Sequence, residues 1–375
     1  MNRLLLLLIL GLLISGCSKK QKQLDNEKYI LGDWINVAFE NKNQNGVSFS
    51  LPPIYDQGFT FYKNYSFVNK AGYFSRQGWG KEVFLGTLSN FQITGDSLLL
   101  LNKENKTWDN YRIFKLTPDS LKFGVDGSIN VYKHVIAKTN KTPAFDKIIL
   151  STSDCFGPCP ILNIAVDKDG KVIFRGVRNT SKDGLYEGSI SKKYYQYLQN
   201  SFRRMDFDSL KDTYISGVSD GQTVTTTFLR NGNIYKTVYD YRRIAPSLFR
   251  WAYLPLEYLY QNIPLKKIAY PDFMVDFEFV TNLSLTKGDS ILELKQSETF
   301  LLFEFLRKAK IVNQGFKPRF KIHSYFEINS SYDITTDGRF YIFLVKGKPV
   351  TIDIGFNFYD VNAKTWQWRK AGEYE

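Results

Sequence analysis

Two cysteines with three residues between them, in Cys155-Phe156-Gly157-Pro158-Cys159, are the sharpest chemical feature of this 375-residue chain. Gly157 is free to adopt backbone angles closed to other residues and Pro158 fixes its own φ, so the loop can bring the two sulfurs together. Two chemistries fit: a structural disulfide, or a redox pair that cycles between thiol and disulfide. Dithiol redox motifs place two residues between their cysteines, not three, which favours the structural bond. A metal pair is weaker still. The chain holds only two histidines, His134 and His323, so no zinc site of ordinary Cys and His spacing can be assembled. Both histidines sit in strand-like runs, which favours structural roles over a catalytic base. Asp220 and Asp337 invite pairing as acid and base, yet each precedes a glycine at a strand entrance, which is ordinary turn chemistry, and nothing joins them. No Gly-x-Ser-x-Gly elbow, phosphate-cradling loop or zinc-protease helix occurs. No catalytic residue, metal site or cofactor is assigned on these grounds.

The third cysteine, Cys17, has a different context. Met1-Asn2-Arg3 is followed by an almost unbroken apolar run ending in Ile14-Ser15-Gly16-Cys17. The run is shorter than the ~20 apolar residues a membrane-spanning helix needs, and a cationic start with small residues at its end is the pattern of an export signal. The arrangement resembles the bacterial lipobox, which implies diacylation of Cys17, cleavage before it and acylation of the new amino terminus. Residues 1–16 are then a signal peptide and 17–28 a lipidated tether, whose polar, basic Ser18-Lys19-Lys20-Gln21-Lys22-Gln23 reads as solvated. Two or more acyl chains make the anchor stable where one does not. Ser18 in place of Asp argues, by analogy, against inner-membrane retention. No acidic cluster resembling the surface-export signal of some Bacteroidetes lipoproteins follows Cys17. An outer-membrane lipoprotein facing the periplasm is the expectation. In that oxidising compartment a Cys155–Cys159 disulfide is the default, and so short a loop stabilises by ~2 kcal/mol.

Composition bounds the elements that must position these residues. Hydrophobic residues make up 43% of the chain, enough for several cores, and 30 Phe and 24 Tyr against 3 Met favour half-buried strand surfaces. The formal net charge is +13, or +12 once Arg3 leaves with the signal. The basic residues are scattered, so a solvated basic surface is the plain reading. An envelope location favours anionic lipid, polysaccharide or acidic partners over nucleic acid.

From about Tyr29 to Lys138 short apolar-alternating runs are separated by turns at Lys63-Asn64, Thr94-Gly95-Asp96 and Thr117-Pro118-Asp119-Ser120, which suggests an antiparallel barrel or curled sheet. The early Leu31-Gly32-Asp33-Trp34 and the late Tyr111-Arg112-Ile113-Phe114-Lys115-Leu116-Thr117-Pro118-Asp119-Ser120-Leu121 resemble bacterial lipocalin-like domains. That resemblance implies a small barrel, closed at one end by Trp34, whose interior either holds an apolar ligand or is filled by its own side chains. The polar stretch Thr139–Pro143 reads as a linker. The loop Cys155-Phe156-Gly157-Pro158-Cys159-Pro160 then resembles the signature of a bacterial domain of unknown function, α+β, over 145–264; the family carries no established activity. Within it Ser191 is placed to cap a helix, Asn231-Gly232 to turn a hairpin, and a second helix is expected after Pro246, broken near Pro255.

Residues 266–375 read as a further α+β region, echoing the preceding one as a helix capped by Ser297 and a hairpin after Asp337-Gly338, so a divergent repeat is one reading. The fold class expected is mainly β with α+β: a lipocalin-like antiparallel barrel or curled sheet followed by one or two α+β domains. The function expected is non-catalytic binding or scaffolding by a lipid-anchored envelope protein, with an apolar small molecule or an envelope protein as partner. The alternative is a redox or enzymatic factor using Cys155 and Cys159.

Overall fold

The computed structural model describes residues 25–42, 48–51, 57–76, 82–125, 127–135, 144–274, 281–324 and 334–371. The signal peptide, Cys17 and the tether as far as residue 24 lie outside the described residues. Packing divides the chain into two compact units, with the change from one to the other between Lys138 and Thr139. The fold is mainly β, with an antiparallel barrel and two further sheets.

The first unit opens with a helical turn, α1, over 25–29. Nine strands follow: β1 (Gly32–Lys42), β2 (Ser48–Leu51), β3 (Gly58–Phe61), β4 (Ser66–Arg76), β5 (Glu82–Thr94), β6 (Ser97–Leu101), β7 (Trp108–Leu116), β8 (Ser120–Val125) and β9 (Ser128–Val135). Each pairs antiparallel with its neighbour, and β9 returns to pair with β1, so β1 and β3 to β9 close an eight-stranded barrel. β2 adds to the far half of β1, from Phe39 to Lys42. Local chemistry makes the turns: the Thr117 hydroxyl donates to Asp119 Oδ1 at 2.7 Å and accepts from Ser120 N–H at 3.2 Å.

One end of this barrel is sealed. Trp34 is fully buried, donates from Nε1 to Ile30 O at 2.7 Å and packs on the His134 ring with centroids 4.9 Å apart. Gly32 leaves room for that imidazole: a Cβ there would lie 2.3 Å from His134 Nε2, and φ is +109°. Residues 25–28, placed in the lipidated tether by the sequence, lie in α1, and Asn26 is buried, donating to Gly95 O at 3.1 Å. A buried amide with a partner holds that turn against the barrel end.

The second unit carries two sheets. The first is built from β10 (Lys147–Thr152), β11 (Ile161–Asp167), β12 (Lys171–Arg178), β13 (Gly184–Ser189), β14 (Thr213–Tyr214), β15 (Thr223–Arg230), β16 (Asn233–Tyr241) and β17 (Leu265–Lys267). Its spatial order is β14-β16-β15-β10-β11-β12-β13-β17. Helices α2 (Lys192–Arg203) and α3 (Ser247–Glu257) supply Leu198, Phe202, Phe249 and Leu256 to one face, against Ile148, Leu162, Phe174 and Phe228. Ser191 caps α2, its hydroxyl accepting from Tyr194 N–H at 3.1 Å.

The second sheet contains β18 (Leu283–Lys287), β19 (Ser290–Glu293), β20 (Lys310–Val312), β21 (Phe320–Ser324), β22 (Ile334–Thr336), β23 (Phe340–Val345), β24 (Lys348–Asp353) and β25 (Arg369–Lys370), in the order β20-β24-β23-β22-β21-β18-β19-β25. Helix α4 (Gln296–Arg307) is buried along nearly its whole length, and α5 (Phe358–Asn362) follows β24. Phe300, Leu301 and Phe303 of α4 share one core with Ile149, Ala165 and Leu229 of the first sheet and Leu285, Ile322 and Tyr341 of the second. The residues beyond Pro264 thus share a core with those before it.

Two helix expectations change. α3 runs through Pro255 and ends two residues later at Glu257, held by the burial of Phe249, Trp251, Ala252 and Leu256. In α4 the cap is Lys295, whose N–H donates to Glu298 Oε2 at 2.9 Å. Ser297 lies inside the first turn, where its hydroxyl meets Thr227 Oγ1 at 2.8 Å and its N–H donates to Thr225 Oγ1 at 3.0 Å.

Candidate functional site

Cys155 and Cys159 are joined by a disulfide, with Cα atoms 5.7 Å apart, in the connection between β10 and β11. The base of the loop is fixed independently of the bond. Gln222 Nε2 donates to Ser153 O at 3.1 Å and to Pro160 O at 2.9 Å, and Thr152 Oγ1 donates to Pro160 O at 2.6 Å. Asn179 Nδ2 donates to Cys159 O at 3.2 Å and Phe156 N–H to Asp220 O at 3.2 Å. Gln222 Oε1 in turn accepts from Arg243 Nη2 at 2.8 Å, and Arg243 forks onto the fully buried Glu257 carboxylate of α3 at 2.7 and 2.9 Å. Arg242 and Arg243 both have left-handed φ, 64° and 56°, the backbone cost of aiming that fork. Gln222, Arg243 and Glu257 were not legible in the sequence, because their contacts join residues 14 to 69 positions apart.

A cycling dithiol requires a thiolate stabilised by a cation or a helix N-terminus. The nearby Arg178 is held by Asp154 at 3.6 Å, and the groups that bond to the loop are carbonyls, amides and Gln222. That arrangement fixes a loop, with Phe156 at its tip 89% exposed.

The remaining polar candidates occupy separate places. His134 packs at a tilt against Trp34 at the sealed barrel end, and His323 on β21 meets Thr286 Oγ1 at 3.0 Å. Asp220 precedes β15 and accepts from the Ser219 hydroxyl at 3.1 Å. Asp337 precedes β23 and accepts from Arg339 and Phe340 N–H, each at 2.8 Å. The two aspartates serve turns of different sheets. Among the described residues no three His, Cys, Asp or Glu side chains gather as a metal-binding group would.

The barrel interior is the other candidate. Its sealed half is packed with Trp34, Phe61, Phe67, Phe91, Ile93, Leu98, Ile113 and Leu121. A layer of rings lies above, where Phe59 of β3 reaches across to Phe123 of β8 and Tyr132 of β9, with centroids 5.8 and 5.5 Å away, while Phe123 and Tyr132 stack at 5.1 Å. These contacts join strands that are not neighbours, so the rings point inward. Tyr73 and Tyr111 face the same interior and pack against that core. Asp109 faces inward beside Tyr111, because the two lie opposite the inward Leu100 and Leu98 in the β6–β7 register. Asn130 is likewise inward, opposite Phe123 on β8 and Phe39 on β1.

Phe59, Tyr73, Asp109, Tyr111 and Asn130 are all only half-buried. An inward side chain in a closed barrel meets solvent only through an end, so among the described residues the barrel is filled at the Trp34 end and less completely filled toward the other. Burial pushes the Tyr73 hydroxyl up to about 12, and it donates to Leu101 O at 3.4 Å. Burial, then the Asp109 charge, pushes Tyr111 up as well, so both phenols stay protonated donors. Asn130 Oδ1 is buried and accepts no hydrogen bond among the described residues. Lys103, from the β6–β7 connection, donates to Leu85 O beside the open end. Alternation along Asn130-Val131-Tyr132-Lys133-His134 was the signal that could have placed Asn130 inside.

Residues 146–260 match the family described as Domain of unknown function (DUF6438). The matched residues therefore run from β10 through β16 and α3, including the disulfide loop, and leave out β17. No curated protein matches the chain. Among solved structures, the chain is similar to a lipocalin-like protein from Bacteroides uniformis ATCC 8492, at 14% identity and a TM-score of 0.20, covering 28% of this chain and 98% of that one. It is also similar to an uncharacterized protein from Bacteroides eggerthii DSM 20697, at 10% identity and a TM-score of 0.21, with the same two coverages.

Proposed function

We propose that this is a lipid-anchored cell-envelope protein, attached through Cys17 to the outer membrane and facing the periplasm, that acts by binding rather than by catalysis. The open half of the barrel is the binding site. One observation carries the binding role: Phe59, Tyr73 and Tyr111 point into a closed barrel and still meet solvent. The DUF6438 region supplies a rigid body whose disulfide loop is tied at its base by Gln222, Arg243 and Glu257. The attachment rests on the sequence pattern ending at Cys17.

Both halves of the proposal are open to direct test. Cys17→Ala moves the protein from the membrane to the soluble fraction; retention after a high-salt wash would mean that another anchor carries it. For the binding role, soluble chain starting at Ser18 is titrated with small hydrophobic and aromatic probes. Saturable binding with a matching rise in melting temperature is expected, and the absence of both across the probes leaves scaffolding in its place.

A further inference from the structure

Resting on the lipid-anchored reading, we infer that one end of the first sheet docks on the lipid surface to which Cys17 tethers the chain, with the Phe156 ring entering it. Strand register gathers that end. Thr152 of β10 pairs with Leu162 of β11 and Val224 of β15, Ile161 with Arg178 of β12, Gly176 with Gly184 of β13, and Thr223 with Tyr241 of β16. The β10–β11 loop, the β12–β13 turn, the β14–β15 loop and the β16–α3 connection therefore emerge together. Hydrogen bonds tie them to one another: Asn179 Nδ2 donates to Cys159 O, Phe156 N–H to Asp220 O, and Arg242 Nη1 to Ser219 O at 3.1 Å.

Exposed apolar side chains collect at this end. Among the described residues from 146 to 260, five large apolar side chains are exposed; Phe156, Ile215, Val218 and Ile244 stand on these loops, and the fifth, Tyr197, is on α2. Ile215 is 62% exposed and Val218 58%. Single apolar residues in water are ordinary, whereas a group on adjoining loops marks a contact surface. Folding gains little from a Phe ring left in water, yet the disulfide and the ties from Gln222 hold the Phe156 loop in place. A loop ordered in advance loses little freedom when its tip docks.

A lipid surface is the partner this end fits. Asp25 follows Cys17 by eight residues, which span at most ~28 Å when extended, so the tether keeps the folded chain beside lipid at high effective concentration. On these loops Arg178, Lys182 and Arg242 are matched by Asp154, Asp183 and Asp220, and Arg243 by the Glu257 carboxylate. The charges balance, so burial of the apolar tips supplies the attraction. Acyl chains on Cys17 hold the protein at the membrane, and the docked tips fix how the first sheet faces it.

The test sediments the chain from Ser18, which carries no lipid, with phosphatidylcholine vesicles at millimolar lipid. Binding that saturates with lipid is expected, insensitive to salt and to added phosphatidylglycerol. Phe156→Ser should weaken it about fivefold or more at an unchanged melting temperature, and Phe156→Trp should bind at least as well as wild type, because indole favours the interface. Equal binding by wild type and Phe156→Ser overturns the docking of this end. Binding confined to phosphatidylglycerol vesicles and lost in salt also overturns it, since charge would then carry the contact. No vesicle binding by the wild type overturns the inference and leaves the anchor to be read separately from the release of Cys17→Ala. Self-association that Phe156→Ser abolishes, in place of vesicle binding, overturns it in favour of a second copy of the chain.

Discussion

The barrel and the two-sheet unit are built from the same material, antiparallel strands rich in Phe and Tyr, and they enclose it differently. In the two-sheet unit a helix fills the interior. Phe300 and Phe303 of α4 are buried against strands of both sheets, and the buried Arg175 of β12 lies over the Phe303 ring at 4.9 Å. With the Asn163 amide oxygen turned toward it, that guanidinium also donates at 3.0 and 3.2 Å. In the barrel no helix is available for the interior, so each level is filled only as far as its own side chains reach. At the Trp34 level they bury one another fully; Tyr111 and Asn130 remain half-buried. The difference is geometric, since closing eight strands fixes the internal width while residue type sets how much of it is occupied.

The largest effects should mark the two filled cores. Phe300→Ala and Trp34→Ala each remove a fully buried ring and should cost ~3–5 kcal/mol, read by urea unfolding of the whole chain. The comparison sharpens with Phe59→Ala, which truncates a half-buried ring at the edge of the open space and should cost roughly half as much. Equal losses for Phe59 and Phe300 would mean that the barrel is packed throughout.

A smaller, pH-dependent effect belongs to Asp240 of β16. Burial pushes its carboxyl up, opposed by hydrogen bonds from Ala245 N–H at 2.9 Å and the Tyr253 hydroxyl at 3.2 Å. A carboxyl whose folded pKa lies above its unfolded value, ~3.9 for Asp, contributes stability that is complete below that value and is lost as pH rises through the folded pKa. Asp240→Asn should therefore remove a decline in stability that begins just above pH ~4, measured as the urea midpoint against pH. The smallest effect expected is that of Tyr111→Phe, which removes a half-buried hydroxyl at the open level and should change stability by about 0.5 kcal/mol or less. A large loss there would place Tyr111 in a closed, hydrogen-bonded core.

Much of the local structure was legible in the residues. Asn231-Gly232 turns the β15–β16 hairpin with φ of 51° and 78°, Ser191 caps α2, and the Thr117 to Ser120 turn forms as its residue types require. These features depend on neighbours within about four positions, so the order of residues alone carries them. Ser297 and Pro255 read differently in the structure because burial overrode the local signal: Ser297 is held by Thr225 and Thr227, some seventy residues away, and Pro255 sits in a helix anchored by its apolar face.

The candidate sites divide along the same line. The sequence by itself determined the class of the fold, the turn positions, the disulfide loop as a motif and the apolar run ending at Cys17. Only the tertiary structure decided that β9 returns to β1, that α4 is buried against both sheets, that Gln222, Arg243 and Glu257 tie the base of the loop, and that the inward Tyr111 and Asn130 stay half-buried. Each of those outcomes sums side-chain volumes and hydrogen bonds from segments far apart in the chain. Packing of that kind exists only once the strands have closed around a common interior.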